Sequence, residues 1–204
     1  MIVIINYGSG NIQAIANIYH KLNIPHIISD KIEDLKRASK LVLPGVGAFD
    51  EVMNQLNESG LRETLDEMVL VKKTPVIGVC VGMQILAKSS EEGIVAGLGW
   101  IDGTVKKVNV KNLTHKPHLP HMGWNVARPS RQNPVIEGLD LDKGFYFLHS
   151  FCFHCHNPND ALMTTEYGET IISAVNHENV YGMQFHPEKS HNNGIQIFKN
   201  FANL

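Results

Sequence analysis

A short apolar run leads into a tight turn and then into an apolar helical pattern at residues 74–84, TPVIGVCVGMQ. The central Gly-x-Cys-x-Gly is typical of a nucleophile elbow in which sulfur replaces oxygen. Glycines on each side let the chain turn sharply and leave Cys80 exposed at the top of a sheet. A helix that begins just after Cys80 places its positive end beside the sulfur and favours the thiolate. The alternative is a small core cysteine at the end of a strand.

The same order of strand, turn and helix recurs around this stretch. Apolar runs predict strands at residues 2–5, 26–28, 40–43 and 76–79, and helical spacing predicts helices at residues 12–22, 32–38 and 50–72. Later strands are predicted, with few helices between them, at residues 104–110, 146–153, 161–165, 171–175 and 180–185, and a last helix at 195–201. Alternating strands and helices favour a parallel sheet covered on both faces. We therefore expect one α/β domain over residues 1–204, with a mostly parallel sheet flanked by helices and a strand-rich second half.

The composition excludes several classes of protein. The chain has 204 residues, with 18 Lys and Arg against 20 Asp and Glu and a formal net charge of −2. This balance offers no basic face for a nucleic-acid partner, and no apolar run approaches the ~20 residues that span a bilayer. The first residues lack the basic region of a signal peptide, and three cysteines do not make a disulfide framework. We expect a soluble cytoplasmic protein in a reducing compartment.

A second motif, at residues 181–190 with the sequence YGMQFHPEKS, supplies what a thiolate nucleophile needs. His186 is the candidate base, and Glu188 is the carboxylate that orients it. Pro187 biases His186 toward an extended conformation, in which residues two apart share a face. The alternative is a loop histidine beside a surface glutamate, which the elbow cysteine makes less attractive.

A third segment, residues 43–49 with the sequence LPGVGAF, comes at the end of the predicted strand 40–43. Acyl transfer through Cys80 would create an oxyanion that needs two backbone donors. The amide of Val81 is one candidate, and the glycine-permitted turn at Val46 and Gly47 supplies the other. An ordinary strand-ending turn is the alternative.

Together these segments resemble the class I (triad-type) glutamine amidotransferases. Within that family the chain is similar to the glutaminase subunits of imidazole glycerol phosphate synthases. The similarity extends over nearly the whole chain and is carried by residues 6–11, 44–49, 78–84, 121–125, 146–150 and 182–190. The elbow and the His-Pro-Glu motif mark the family, and residues 6–11, 44–49 and 121–125 point to the subgroup.

The resemblance implies a reaction and a set of roles. Cys80 would attack the side-chain amide of glutamine, and His186 would protonate the departing ammonia and later activate water, without a cofactor or a metal ion. Gln84 and Ser150 would help to hold glutamine. Ammonia would pass into a (β/α)8-barrel cyclase subunit, where it contributes to imidazole glycerol phosphate and an aminoimidazole carboxamide ribotide in histidine biosynthesis. The residues implied at that interface are Gly8, Ser9, Gly10, Asn11, Met122 and Trp124.

Two stretches depart from the family pattern. Residues 151–156, FCFHCH, place Cys152, His154 and His156 on one face of a strand, where a metal site is conceivable, but a half-buried strand is favoured. The spacing of His115, His118 and His121 is also suggestive, although Pro117 and Pro120 exclude helical ligand spacing. The second departure, residues 191–194, is similar to paralogues that supply ammonia for amidination of a surface-polysaccharide sugar.

Other interpretations stay open at this point. An α/β-hydrolase or cysteine peptidase could use the same elbow, but in α/β-hydrolases the acid precedes the histidine, whereas Glu188 follows His186. Residues 8–10, GSG, could form a nucleotide-binding turn, but position 13 is Gln where the third glycine would stand. A homologue that has lost activity is disfavoured because every triad position is filled. We also expect the free chain to be nearly inactive, because the family resemblance implies that a rotated peptide at residues 45–47 can hold the site inactive.

Overall fold

The computed structural model describes residues 1–114, 116 and 118–204. Its strands are β1 (Ile2–Ile5), β2 (His26–Ser29), β3 (Lys40–Gly45), β4 (Val76–Cys80), β5 (Ser89–Ser90), β6 (Gly103–Lys107), β7 (His121–Asn125), β8 (Arg128–Pro129), β9 (Phe145–His149), β10 (Phe151–Cys155), β11 (Ala161–Glu166), β12 (Thr170–His177) and β13 (Val180–Met183). Its α-helices are α1 (Ile12–Lys21), α2 (Ile32–Lys36), α3 (Phe49–Glu58), α4 (Arg62–Asp66), α5 (Val81–Gln84) and α6 (His191–Asn203). A π-helical segment, Glu67–Val71, continues α4, and short 3-10 helices cover Pro134–Ile136, Pro158–Asp160 and Pro187–Lys189.

The main sheet has a parallel part and an antiparallel part. Strands β2, β1, β3, β4 and β13 lie side by side in that order and all pair in parallel. The sheet continues through β12, β10 and β6, whose pairings with one another and with β13 are antiparallel. The predicted α/β architecture with a strand-rich second half is therefore confirmed.

Continuous apolar strands explain the buried centre of the sheet. Strands β1 and β4 are buried at every position, as expected for parallel strands that helices cover on both faces. Helix α1 packs Ile15, Ala16 and Tyr19 inward, and helix α6 packs Ile197, Phe198 and Phe201 inward. This core holds the carboxyl ends of β3, β4 and β13 at one edge, where ligands of open α/β sheets bind.

A separate two-stranded ribbon, formed by β7 and β9, was not predicted as such. The strands pair antiparallel, with His121 opposite His149 and Met122 opposite Leu148. Its outer face carries Met122, Trp124 and Leu148, which are 64%, 51% and 38% exposed. Its inner face carries buried His121, Phe147 and His149. The ribbon therefore has an apolar exposed face and a histidine-containing buried face.

Several predicted boundaries were wrong. The run at residues 146–153 is two strands, because the chain leaves the ribbon at Ser150 and enters the main sheet as β10. The helical region at 50–72 is broken between α3 and α4.

Within residues 1–114, 116 and 118–204, no helix is long and apolar enough to cross a bilayer. Two residues of the proline-rich stretch that the sequence analysis considered, His115 and Pro117, lie outside the described residues.

Candidate active site

Cys80 ends strand β4 in a backbone conformation that residues other than glycine rarely adopt. Its φ is +57° and its ψ is −114°, and the chain turns there into α5. The flanking glycines do not have positive φ; instead, a Cβ on Gly82 would collide with the Leu43 carbonyl, and a Cβ on Gly78 would collide with the Gly82 carbonyl. The predicted sharp turn is present, but the strain lies on Cys80 itself, and the glycines provide space for close packing.

His186 and Glu188 form a buried pair next to this turn. Nδ1 of His186 lies 2.7 Å from Oε1 of Glu188, and the two side chains are 3% and 1% exposed. His186 is extended, with φ −98° and ψ 95°, as the following Pro187 predicts, whereas Glu188 lies within the 3-10 helix Pro187–Lys189 and not in an extended segment. Asn11 donates from Nδ2 to the same Oε1 at 2.8 Å. Asn11 was predicted at a partner interface, and nothing in its sequence context pointed to this bond.

The charges of the pair are set by these contacts. Burial lowers the pKa of His186, but hydrogen bonds with Cys80 and Glu188 outweigh burial and raise this pKa to about 10. Burial raises the pKa of Glu188, and the hydrogen bonds from His186 and Asn11 bring it below its usual value. At neutral pH the imidazole is therefore protonated, beside both the sulfur of Cys80 and an anionic carboxylate.

A cavity of about 450 Å³ opens above the cysteine. Its walls include the predicted catalytic and substrate residues Cys80, His186, Gln84 and Ser150, and the predicted oxyanion residues Val46, Gly47 and Val81. Glu188 lies behind His186. The wall also includes Asn11, Glu92, Pro120, Leu148, His149, Phe151 and Lys189, which the sequence did not assign to the pocket. The structure thus brings three distant segments to one concave surface.

The orientation of Gln84 is fixed by its hydrogen bonds. Its Nε2 donates to the Phe151 carbonyl at 3.1 Å and to Oε1 of Gln184 at 3.0 Å. A carbonyl oxygen can only accept, so the amide of Gln84 cannot be flipped. Both amide hydrogens of Gln84 are therefore engaged within the chain.

The predicted oxyanion turn is held by Ser9. The Val46 amide donates to Ser9 Oγ at 2.9 Å, and Ser9 Oγ donates to the Val46 carbonyl at 3.0 Å. Gly47 has a φ of +111°, a value that favours glycine. The Val46 amide, expected to stabilise an oxyanion, is therefore engaged within the chain.

The remaining residues predicted at an interface fall into two groups. The loop residues Ser9 and Gly10 pack inward, and a Cβ on Gly10 would lie 2.5 Å from Pro44 Cβ, whereas Gly8 is exposed. Met122 and Trp124 lie on the exposed face of the ribbon, and the Trp124 ring stacks on His191 with centroids 5.1 Å apart. Trp124 is therefore a surface aromatic and not a core residue.

The cysteine- and histidine-rich stretch forms strand β10. Cys152 is buried, His154 and Cys155 are half-buried, and His156 lies beyond the strand with its Nδ1 2.9 Å from Asp102. Across the described ranges, no group of three or more His, Cys, Asp or Glu side chains is placed to hold a metal ion. The half-buried strand is the arrangement that the structure shows.

Comparisons with known proteins identify the family of the chain. A family model for class-I glutamine amidotransferases matches residues 3–204. Proteins named imidazole glycerol phosphate synthase subunit HisH are 50% identical in Bdellovibrio bacteriovorus and 48% identical in Leptospira borgpetersenii, each over 100% of both chains. A protein named subunit HisH 2 of Pseudomonas aeruginosa is 45% identical over the same full extent.

Solved structures show the same fold at low sequence identity. The crystal structure of a glutamine amidotransferase superposes with a TM-score of 0.71 at 19% identity, covering 99% of both chains. One from Thermotoga maritima gives a TM-score of 0.64 at 18% identity, covering 98% of this chain and 82% of that one. On the family match and the full-length relatives, the chain belongs to the class I glutamine amidotransferase family.

Proposed function

We propose that the chain is the glutaminase subunit of an imidazole glycerol phosphate synthase. The observation that carries this proposal is that Cys80 and protonated His186 line one cavity together with Gln84, while Glu188 is bonded to His186 from behind. The full-length relatives named for that synthase favour it over a role in modifying a surface sugar. They also favour it over an α/β-hydrolase or a cysteine peptidase.

The proposed reaction has two halves. Cys80 sulfur bonds to the side-chain carbonyl carbon of glutamine, and the carbon–nitrogen bond breaks as His186 gives its proton to the departing nitrogen. This leaves a γ-glutamyl thioester and ammonia. Water then attacks the thioester, His186 takes a proton from that water, and glutamate leaves with Cys80 restored. Glu188 holds the imidazole and stabilises its charge in both halves.

We assign glutamine binding to Gln84 and Ser150. With its Nε2 engaged, Gln84 would meet the substrate through its carbonyl oxygen, an acceptor suited to an ammonium or amide N–H. The amides of Val81 and of the Val46–Gly47 turn would stabilise the oxyanion. Because Ser9 engages the Val46 amide, the chain alone would lack one of these donors. We therefore expect little glutamine hydrolysis without a partner.

We propose the outer face of the β7–β9 ribbon as part of the surface for a (β/α)8-barrel cyclase. Its exposed Met122, Trp124 and Leu148 are large apolar side chains of the kind that interfaces bury. Ammonia would pass from the cavity into that barrel to form imidazole glycerol phosphate and an aminoimidazole carboxamide ribotide. A cytoplasmic location fits the free thiols of Cys80, Cys152 and Cys155.

The test is glutamate release from glutamine by the chain, with and without the barrel cyclase of the same organism and its nucleotide substrate. We expect turnover only in the complete mixture and none with C80A. Glutamate release that persists in C80A would contradict the assigned nucleophile. If the cyclase elicits no turnover, the histidine-pathway assignment is wrong and a sugar-modifying barrel becomes the partner to test.

A further inference from the structure

A second buried histidine pair lies beside the cavity and takes no part in the proposed chemistry. His121 and His149 face each other across the β7–β9 ribbon, 3% and 6% exposed, with Nδ1 of His121 2.9 Å from Nε2 of His149. The His121 ring is stacked between Phe147, at 4.6 Å, and Tyr167, at 3.9 Å. His149 also lines the cavity.

The hydrogen bonds at one end of the pair fix the protonation of His149. Its Nδ1 lies 2.8 Å from the Phe151 carbonyl oxygen, which can only accept, so Nδ1 carries a hydrogen. A neutral imidazole has one donor and one acceptor, so Nε2 of His149 accepts. The facing Nδ1 of His121 must then donate.

The hydrogen bonds at the other end lead independently to the same assignment. Asn125 accepts from the Val126 amide through Oδ1 and donates to the Glu166 carbonyl through Nδ2, which fixes the orientation of its amide. Nδ2 of Asn125 also lies 3.2 Å from Nε2 of His121, so that nitrogen accepts. Every bond therefore runs in one direction, from Asn125 through His121 and His149 to the Phe151 carbonyl.

Charge would disrupt this series. A proton added to Nε2 of His149 would face the N–H of His121, and two donors would oppose each other. Burial and the charge of His149 lower the pKa of His121 to about 3, and burial, with His186 nearby, lowers the pKa of His149 to about 4. Among the titratable groups, Tyr167 stacks on His121, and Cys80, Glu92, His186 and Lys189 line the cavity with His149. With both pKa values lowered, both imidazoles are neutral at pH 7.

The Phe151 carbonyl joins this series to the cavity. It accepts from His149 and also from Nε2 of Gln84, so its two lone pairs serve the two side chains. The outer face of the same ribbon carries Met122 and Trp124. A shift of the ribbon caused by contact on its outer face would therefore move the inner histidines against the Phe151 carbonyl.

We propose that His121 and His149 are positioning residues for glutamine binding. Their two neutral imidazoles are hydrogen-bonded in series and connect the ribbon to the Phe151 carbonyl. The position of the ribbon therefore determines the orientation of Gln84, which is bonded to the same carbonyl. This inference rests on the proposed glutaminase function, because Gln84 is assigned to the substrate there. It adds a route by which a partner on the ribbon regulates that site.

Matched substitutions at His149 distinguish its hydrogen bond to the Phe151 carbonyl from its hydrogen bond to His121. H149N keeps an N–H donor near the Nδ1 position and the Phe151 carbonyl, whereas H149Q carries its amide near the Nε2 position. In the complex with the cyclase, we expect H149Q to raise the KM for glutamine about tenfold and H149N about threefold or less. The value of kcat should change less than about threefold in both. Equal KM values in the two variants, or a loss confined to kcat, would overturn the proposal.

A second pair of variants separates packing from hydrogen bonding. H121F keeps an aromatic ring between Phe147 and Tyr167 but cannot donate to His149, whereas H121N retains a donor and loses the ring. We expect KM to rise more in H121F than in H121N. The reverse order would mean that only packing matters and would overturn the proposal. The surface substitution H20N is the control and should leave KM unchanged.

Nitrogen NMR of ring-labelled histidines tests the series without any activity. We expect His121 and His149 to be neutral, with hydrogen on Nδ1, from pH 5 to pH 8. A cationic ring, or hydrogen on Nε2 of either residue, would overturn the proposal even if glutamine is hydrolysed. If the NMR spectrum shows the expected tautomers but no glutamate forms, the proposed function is wrong and the histidine series is not.

Discussion

Two buried pairs, His186 with Glu188 and His121 with His149, each place one histidine in the wall of the same cavity, and the pairs differ in charge. His186 pairs with Glu188 and has its pKa raised to about 10, because hydrogen bonds with Cys80 and Glu188 outweigh burial. His121 pairs with His149, and their pKa values are lowered to about 3 and about 4, mainly by burial. The side chains of His186 and His121 are equally buried, each 3% exposed.

This comparison shows that the partner of a buried histidine decides its charge. Burial lowers the pKa of all three histidines, and only the Glu188 carboxylate and the Cys80 sulfur beside His186 reverse its effect. A protonated imidazole can give a proton to a leaving group, whereas the imidazoles of His121 and His149 have both ring nitrogens engaged in hydrogen bonds and are suited to holding their neighbours in place. The two pairs are thus suited to chemistry and to positioning, respectively.

Removal of the cationic histidine should have the largest effect. In the complex with the cyclase, we expect H186N to lower kcat for glutamine hydrolysis by about 10⁵-fold, because the proton donor to ammonia is lost. Steady-state glutamate release measures this change, and thermal unfolding checks that the variant folds. A loss of less than tenfold would contradict the assigned role of His186.

Replacement of the carboxylate should make the first pair resemble the second. We expect E188Q to lower kcat by about 10³-fold, because the imidazole keeps a hydrogen-bond acceptor but loses the charge that keeps it protonated. The alkaline limit of the kcat profile should also move to lower pH. An unchanged pH profile would show that Glu188 does not set the charge of His186.

The neutral pair should give the protein an acid-sensitive stability. The folded pKa values of His121 and His149 lie below the usual 6.5, so the unfolded chain binds more protons as pH falls below about 6.5. Each histidine can lower the free energy of unfolding by up to about 1.4 kcal/mol per pH unit in that range. Stabilisation by His186 is fully present below pH 6.5 and is lost as the pH rises from 6.5 to about 10, so it does not oppose this trend.

Urea unfolding of wild type and H121F between pH 6.5 and pH 5 measures this dependence. We expect a shallower slope in H121F, because one of the two titrating groups is gone. The exposed-site variant H20N should retain the wild-type slope. A slope in H121F as steep as that of wild type would show that the histidine pair does not cause the acid sensitivity.

The smallest expected effect concerns the turn above Cys80, which neither histidine pair holds. S9A removes the hydroxyl that engages both the amide and the carbonyl of Val46. Loss of about 1 kcal/mol of hydrogen bonding should raise glutamine hydrolysis by the chain without its partner about fivefold. The NMR signals of His121, His149 and His186 should stay the same. Unchanged or lower basal hydrolysis would mean that Ser9 does not restrain the oxyanion turn.

The parallel half of the fold could be predicted because its signals are local. Strands β1 and β4 are short apolar runs, and helices α1 and α6 show helical spacing of their buried residues. The ribbon strand β7 was not predicted, because its burial pattern is the reverse of the usual one: apolar Met122 and Trp124 are exposed and polar His121 is buried. Hydrophobic periodicity assigns such residues to the wrong faces.

The candidate site divides in the same way. Cys80, His186 and Glu188 lie in motifs whose chemistry can be inferred from residue type and spacing, and the family inferred from those motifs is confirmed. The bond from Asn11 to Glu188 joins residues 177 positions apart, and the series through His121 and His149 depends on the pairing of two strands. Only the tertiary structure brings these groups together.

The central claim, that Cys80 forms a γ-glutamyl thioester, is tested most directly by acid-quenched mass spectrometry of the cyclase complex incubated with glutamine. We predict a γ-glutamyl group on the peptide that contains Cys80, released by hydroxylamine as the hydroxamate and absent in C80A. Glutamate formation with no adduct on Cys80, together with unchanged turnover in C80A, would contradict the account.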